Sequence, residues 1–353
     1  DYALFRALTN YFEGVSWHLW PPALAWREEK ALSSFRKSLE KEIDYQIFLQ
    51  YIFYCQWMKL KNYAGAKGLK IIGDIPIYIA YESSDVWTHP HLFYLDDTGQ
   101  PLLVGGVPPD DFSETGQLWG NPLYRWDRMK EDDYLWWRER IKHDLKFFDI
   151  VRLDHFRGFE AYWAVPYGEE TARTGTWVKG PGDHFFSTLK KNLGQLPFIA
   201  EDLGYITEEV IYLRKNQGIP GMKVFQPACG GGQEELYRAL LAKDVVFYPG
   251  THDNDTILGW YQNLPATNPS LIDMLKKVFN IDQRKMNKDE ICRRFIEIAY
   301  QSCAPRVIIP AQDVLCLDSR HRMNTPGTVR GNWQWRLPLE YQLAPGFAAL
   351  REL

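Results

Sequence analysis

Six short apolar runs, each ending in polar or charged residues, constrain this chain more than any other feature. They are "LKIIGDIPIYI" (69–79), "FFDIVRLDHF" (147–156), "PFIAEDLG" (197–204), "MKVFQP" (222–227), "DVVFYPGTHDND" (244–255) and "RVIIPAQDVL" (306–315). Helix-like segments lie between most of them, at 131–146, 183–194, 207–217, 233–242 and 288–303. Such alternation argues for a parallel sheet with helical crossovers. The runs are continuously apolar rather than alternating, so both faces of the sheet are covered. Polar residues at strand C-termini are where a (β/α)8 TIM barrel builds its active site, and a doubly wound sheet also binds ligands there. Neither GxGxxG nor GxxxxGK[ST] follows a strand, which disfavours a nucleotide fold. The expectation is an α/β chain carrying six of the eight strands of a barrel, with helical and loop insertions.

Residues 1–68 read as a helical insertion subdomain. Ile43, Ile47, Tyr51, Tyr54 and Met58 recur at three- or four-residue steps as an amphipathic stripe, "WPPALAW" (20–26) breaks the run and "NYAGAKG" (62–68) ends it. Residues 69–353 read as the barrel part. Within it, "VGGVPPDDFSETGQLWGNPLYRW" (104–126) has turn chemistry and little periodicity, which predicts a long structured loop over the C-terminal mouth.

Composition removes several classes of function. A net charge of −4 without a long basic run argues against nucleic acid as a main partner. No stretch of 18 apolar residues is present to span a membrane, and no charged-then-apolar leader follows Asp1. The five cysteines form no CxxC pair, which argues against a disulfide framework or zinc site and fits a reducing, cytoplasmic setting. Aromatic residues make up 15% of the chain, with 14 Trp and 20 Tyr. They serve a core, or they serve a sugar, whose C–H faces and hydroxyl rim suit flat rings with polar edges.

The polar ends carry the candidate chemistry. Side chains alternate along a strand, so Ile150, Arg152 and Asp154 share one face, while Val151, Leu153 and His155 share the other. Arg152 would favour the ionised form of Asp154, which suits either a nucleophile or a structural ion pair. In "FIAEDLG", Glu201 shares a face with Ile199; apolar neighbours raise a carboxyl pKa, as a proton donor requires. The alternative is an acid at a helix N-terminus, a role Asp202 fills more naturally. "YPGTHDNDT" supplies His252, Asp253 and Asp255, for a metal, an Asx-capped turn or catalysis. The EF-hand offsets fail there, and the pair His89 and His91 lies away from any strand end. Two carboxylates, one nucleophile and one acid/base, are the minimal kit of retaining glycoside chemistry, and a third acid can stabilise an oxocarbenium-like transition state.

The stretches "GDIPIYIA", "GVPPDDFSETGQLWGNPLYRW", "VRLDHFRGFEAYW", "AEDLG", "GTHDNDT", "PAQDVL" and "RMNTPGTVRGNW" closely resemble, in order, the amylomaltases. These are the 4-α-glucanotransferases of glycoside hydrolase family 77, relatives of the α-amylases. The resemblance implies transfer of α-1,4-glucan segments by double displacement, without cofactor or metal. It places the nucleophile at Asp154, the acid/base at Glu201 and the transition-state stabiliser at Asp253. It implies that Arg152 and His252 contact the sugar before the cleaved bond, and that Asp74, Gln117, Trp119 and Asn332 line the glucan cleft. Family members also carry a long segment ahead of the position matched by Asp1, which supplies the first two barrel strands. A barrel without them would have open edges at "IIGDIPI" and "VIIPAQDVL", so residues 1–353 alone are expected to be poorly soluble or inactive. Two other readings stand beside transfer: an α-glucan hydrolase on the same scaffold, and a truncated, inactive glucan-binding fragment.

Overall fold

The computed structural model describes residues 1–110, 113–328 and 330–338, together with 347, 348 and 350. Asp111 and Phe112 of the 104–126 segment, and the end of the 69–353 region, lie outside the described residues. Ten strands occur among those described: β1 (Ile72–Ile75), β2 (Leu103–Val107), β3 (Gln117–Pro122), β4 (Ile150–Leu153), β5 (Ala161–Pro166), β6 (Thr176–Lys179), β7 (Phe198–Ala200), β8 (Gly221–Val224), β9 (Val245–Tyr248) and β10 (Arg306–Val307). The six apolar runs correspond to β1, β4, β7, β8, β9 and β10, and every pairing among these is parallel. The fold is therefore α/β. The chain divides into two compact units, Asp1–Ile219 and Pro220–Leu353. No helix among the described residues is long and apolar enough to cross a membrane.

In the first unit the parallel sheet has the order β1-β4-β7. Its register pairs Asp74 with Arg152, and Arg152 with Ile199. Val151, Leu153 and Ile199 are buried, as β-branched and leucine side chains on a covered sheet face should be. Helices Leu135–Phe147 and Gly182–Leu193 connect the strands, and Trp137, Ile141, Phe185 and Phe186 join the same core as Val151. In the second unit the order is β10-β9-β8. Helices Ile257–Thr267, Pro269–Phe279 and Lys288–Tyr300 close its core around Phe225, Phe247, Leu275 and Phe295. The last of these helices opens on a capping box: Asn287 Oδ1 accepts the Glu290 N–H, and Glu290 accepts the Asn287 N–H.

Two expectations need correction. The 104–126 segment contains β2 and β3, which join β5 and β6 in a four-stranded antiparallel sheet of order β3-β2-β5-β6. Gly105, Gly106, Gly120 and Pro122 sit within these strands and erase the period-two pattern that marks a strand. The second correction concerns the apolar stripe. Helix Glu40–Ala66 forms, and residues 1–68 are helical as expected, but Ile47, Tyr51 and Tyr54 are exposed, and Ala64 is its one buried residue. The helix docks through Ile43, Phe53, Tyr54, Trp57 and Lys61. Trp57 Nε1 donates to the Phe147 carbonyl at 3.0 Å, and Lys61 Nζ donates to the Lys146 and Phe148 carbonyls. Periodicity specifies a helix but not which stripe meets a neighbour.

The β2–β3 pairing leaves no room at Gly106. A Cβ there would lie closer to the Gln117 carbonyl oxygen than any real Cβ approaches, and backbone cannot swing aside as a side chain can. Gly106→Ala is expected to lower stability by about 1–3 kcal/mol, read as a shifted urea midpoint, and to move Gln117 and Trp119 with β3.

Candidate active site

The first unit gathers its charges where β1 and β4 end. Because Asp74 and Arg152 are register partners, the guanidinium reaches sideways. Arg152 Nη1 donates to both Asp74 oxygens at 2.8 Å, and Nη2 lies 3.0 Å from Asp154 Oδ1. Arg152 is only 12% exposed, whereas Asp74 and Asp154 are 47% and 40% exposed. Burial works against its charge, but Asp74, Asp154 and Glu201 outweigh that, and its pKa lies above the ordinary value. The arrangement commits one Asp154 oxygen to an arginine, whose charge favours the ionised carboxylate.

Glu201 is treated differently. Its half-buried carboxyl accepts the His155 N–H at 2.8 Å on Oε2 and the Leu203 N–H at 3.0 Å on Oε1. His155 itself adopts a left-handed backbone, φ 49°, just past the end of β4. Phe156 N–H also donates to the Glu201 carbonyl. Burial first, and then the charge of Asp154, push the Glu201 pKa up to about 7, against Arg152 and the two amides. One carboxyl thus sits against a guanidinium, which favours its ionised form, while its neighbour's pKa is raised to about 7.

His155 joins Trp119 to this group. Their rings meet edge-on at 4.8 Å, and Trp119 Nε1 donates to Gln117 Oε1 at 3.1 Å. Burial, with the Arg157 guanidinium second, pulls the His155 ring down to about 3, so it is neutral at pH 7. Asp202 does not head a helix; it pairs at 2.9 Å with buried Arg214 of helix Glu208–Asn216. Asp74 also lines a cavity of about 750 Å³, together with Asp85, His89, His91, Trp136 and Arg140 among others. Among the described residues, no group of three or more His, Cys, Asp or Glu is arranged to hold a metal.

In the second unit, "THDNDT" combines turn chemistry with a held carboxylate. Asn254 Oδ1 accepts the Thr251 N–H, and Thr256 Oγ1 caps helix Ile257–Thr267 through the Gly259 N–H. Asp253 is gripped from the segment after residue 321. Asn324 Nδ2 donates to Asp253 Oδ1 at 2.6 Å, and Arg322 Nη2 to the Asp253 carbonyl at 2.6 Å. His252 Nε2 lies 3.4 Å from Asp253 Oδ2, and its ring is 5.0 Å from that of Trp333. Beneath them, buried Asp313 of "PAQDVL" accepts the Ile257 N–H at 2.8 Å, and burial pushes its pKa up to about 7. Asn332 is used locally: its amide accepts the Thr325 N–H and donates to the Thr328 carbonyl, closing a turn.

Sequence reasoning proposed nine site residues, of which Asp74, Gln117, Trp119, Arg152, Asp154 and Glu201 lie in the first unit and His252, Asp253 and Asn332 in the second. It missed His155, Arg322, Asn324 and Asp313. "RMNTPGTVRGNW" contains two asparagines, and nothing in its spacing distinguishes the one that bonds Asp253.

The 4-alpha-glucanotransferase family, Glyco_hydro_77, matches residues 1–341. The 4-alpha-glucanotransferase of Streptococcus pneumoniae is 44% identical over 346 residues, which is 98% of this chain and 67% of that protein. That of Thermus thermophilus is 45% identical over 352 residues, 99% of this chain and 70% of the relative. Among solved structures, the amylomaltase from Streptococcus agalactiae in complex with acarbose superposes with a TM-score of 0.92 at 40% identity, covering 100% of this chain and 70% of that one. With this likeness along nearly its whole length, the chain belongs to glycoside hydrolase family 77, the 4-alpha-glucanotransferases.

Proposed function

We propose that the protein moves α-1,4-glucan segments between glucans by a retaining double displacement. The observation that carries this reading is the contrast between two neighbouring acids. The Arg152 charge favours the ionised form of Asp154, and burial beside Asp154 keeps Glu201 substantially protonated at neutral pH. Asp154 attacks the anomeric carbon, the glycosidic C–O bond breaks, and Glu201 gives its proton to the departing 4-oxygen. A β-linked glucosyl-enzyme results. The 4-hydroxyl of a second glucan then passes its proton to Glu201 and displaces Asp154, restoring the α-1,4 bond. Asp253 stabilises the oxocarbenium-like transition state, and Arg152 and His252 contact the sugar before the cleaved bond. Asp74, Gln117, Trp119 and Asn332 line the glucan cleft, and the fold is that of a (β/α)8 barrel. The family match and the amylomaltase likeness support these assignments, and the scheme needs no cofactor.

Incubating the full-length protein with maltotriose tests the reading. Transfer yields glucose together with a ladder of longer glucans, whereas glucose and maltose alone identify a hydrolase. Asn324 bears on the role of Asp253. Its hydrogen bond to a charged carboxylate is worth about 1.5–3 kcal/mol, so Asn324→Ala is expected to lower kcat roughly ten- to hundredfold. An unchanged kcat would remove Asp253 from the transition state.

A further inference from the structure

We infer that Trp177 and Tyr205 form a stacking platform for an α-1,4-glucan on the acceptor side of the cleaved bond; the inference rests on Glu201 being the acid/base. Trp177 lies on β6, and Tyr205 lies four residues after Glu201, on the segment leaving β7. Their rings are near-parallel, 27° apart with centroids 6.4 Å apart, and they are 39% and 69% exposed. Single exposed aromatic residues are ordinary, but a matched pair held in position from below is not explained by burial.

The support beneath the rings is specific. The Arg157 guanidinium lies 3.9 Å from the centre of Trp177 and 5.4 Å from that of Tyr205. Arg157 is itself buried and donates to the backbone carbonyls of Tyr205 and Ala161. Trp163 meets Trp177 edge-on at 5.2 Å and is fixed by its Nε1 bond to the Ala172 carbonyl. The rings therefore lose little freedom when a ligand arrives. Beside them, the ion pair of Glu160 with exposed Lys179 supplies polar groups for hydroxyls. Flat apolar faces with a polar rim suit a sugar ring.

Location selects the acceptor side. An acid/base protonates the departing glucan and deprotonates the incoming one, so acceptor sugars lie on its side of the bond. The Leu203 N–H bond to Glu201 ties the segment carrying Tyr205 to that carboxyl. The platform stands beyond the first acceptor sugar and favours longer chains.

The test is calorimetric titration of the full-length protein with maltoheptaose and with maltose, in an Asp154→Asn background that prevents turnover. Tyr205→Ala keeps the carbonyl that holds Arg157 and removes only the ring. It is expected to weaken maltoheptaose binding roughly tenfold and maltose binding less than about twofold. Trp177→Phe, which keeps a ring over Arg157, should fall between wild type and Tyr205→Ala. Unchanged maltoheptaose binding in Tyr205→Ala, or equal weakening of both glucans, would overturn the platform. Because binding is read without turnover, the platform and the transfer activity fail separately: absent transfer with length-selective weakening removes only the latter.

Discussion

Asp154→Asn is expected to lower glucan transfer by at least about four orders of magnitude, the scale seen when a covalent nucleophile is removed, with maltoheptaose binding little changed. The substitution keeps shape and removes only the carboxylate that attacks. Arg152 retains both its bonds to Asp74, so the ends of β1 and β4 stay joined and the local fold survives. Glucose release from maltotriose measures the first quantity and calorimetry the second. Transfer surviving above about one per cent of wild type would require another nucleophile.

Glu201→Gln carries the second large effect. General acid catalysis contributes about 10²–10⁴-fold, so cleavage of maltotriose should fall by that amount. Cleavage of α-glucosyl fluoride, whose leaving group needs little protonation, should be largely retained. With a pKa of about 7, Glu201 loses its proton as pH rises, so the wild-type rate declines above about pH 7 while the Gln variant is flat there. The same shift has a consequence for stability. The folded-state pKa lies above the ordinary value of 4.5, so the native state holds the proton more tightly than the unfolded chain. That contribution is complete below the ordinary value and is lost as pH rises through about 7. Glu201→Gln should therefore melt above wild type at about pH 8, with the gap closing on acidification. A wild-type rate flat through neutrality would show that Glu201 is not the proton donor.

The parallel strands were legible because buried strands need long apolar stretches, and "FFDIVRLD" or "DVVFYPG" admits little else. Most of the helices between them were placed as helix-like segments. The β2–β3 pairing was hidden by glycines whose value lies in close approach to another backbone, which only the fold reveals. The stripe at Ile47, Tyr51 and Tyr54 marked a helix, but periodicity does not say how far a stripe is buried, because burial depends on what packs nearby. At the site, Asp154 and Glu201 were marked by charge at the end of an apolar run. Asn324 was not, since a neutral amide in a turn-rich segment looks the same whether it closes a turn, as Asn332 does, or holds a carboxylate.

The left-handed turn at His155 gives the site an evolutionary property. The strand bearing Asp154 and the loop bearing Glu201 are tied through main-chain groups: the His155 N–H to the carboxylate, and the Phe156 N–H to the Glu201 carbonyl. Peptide groups survive every substitution except proline. The separation of the two acids is thereby insulated from drift in the surrounding loops, and preference for glucan length can change without retuning the bond-breaking step.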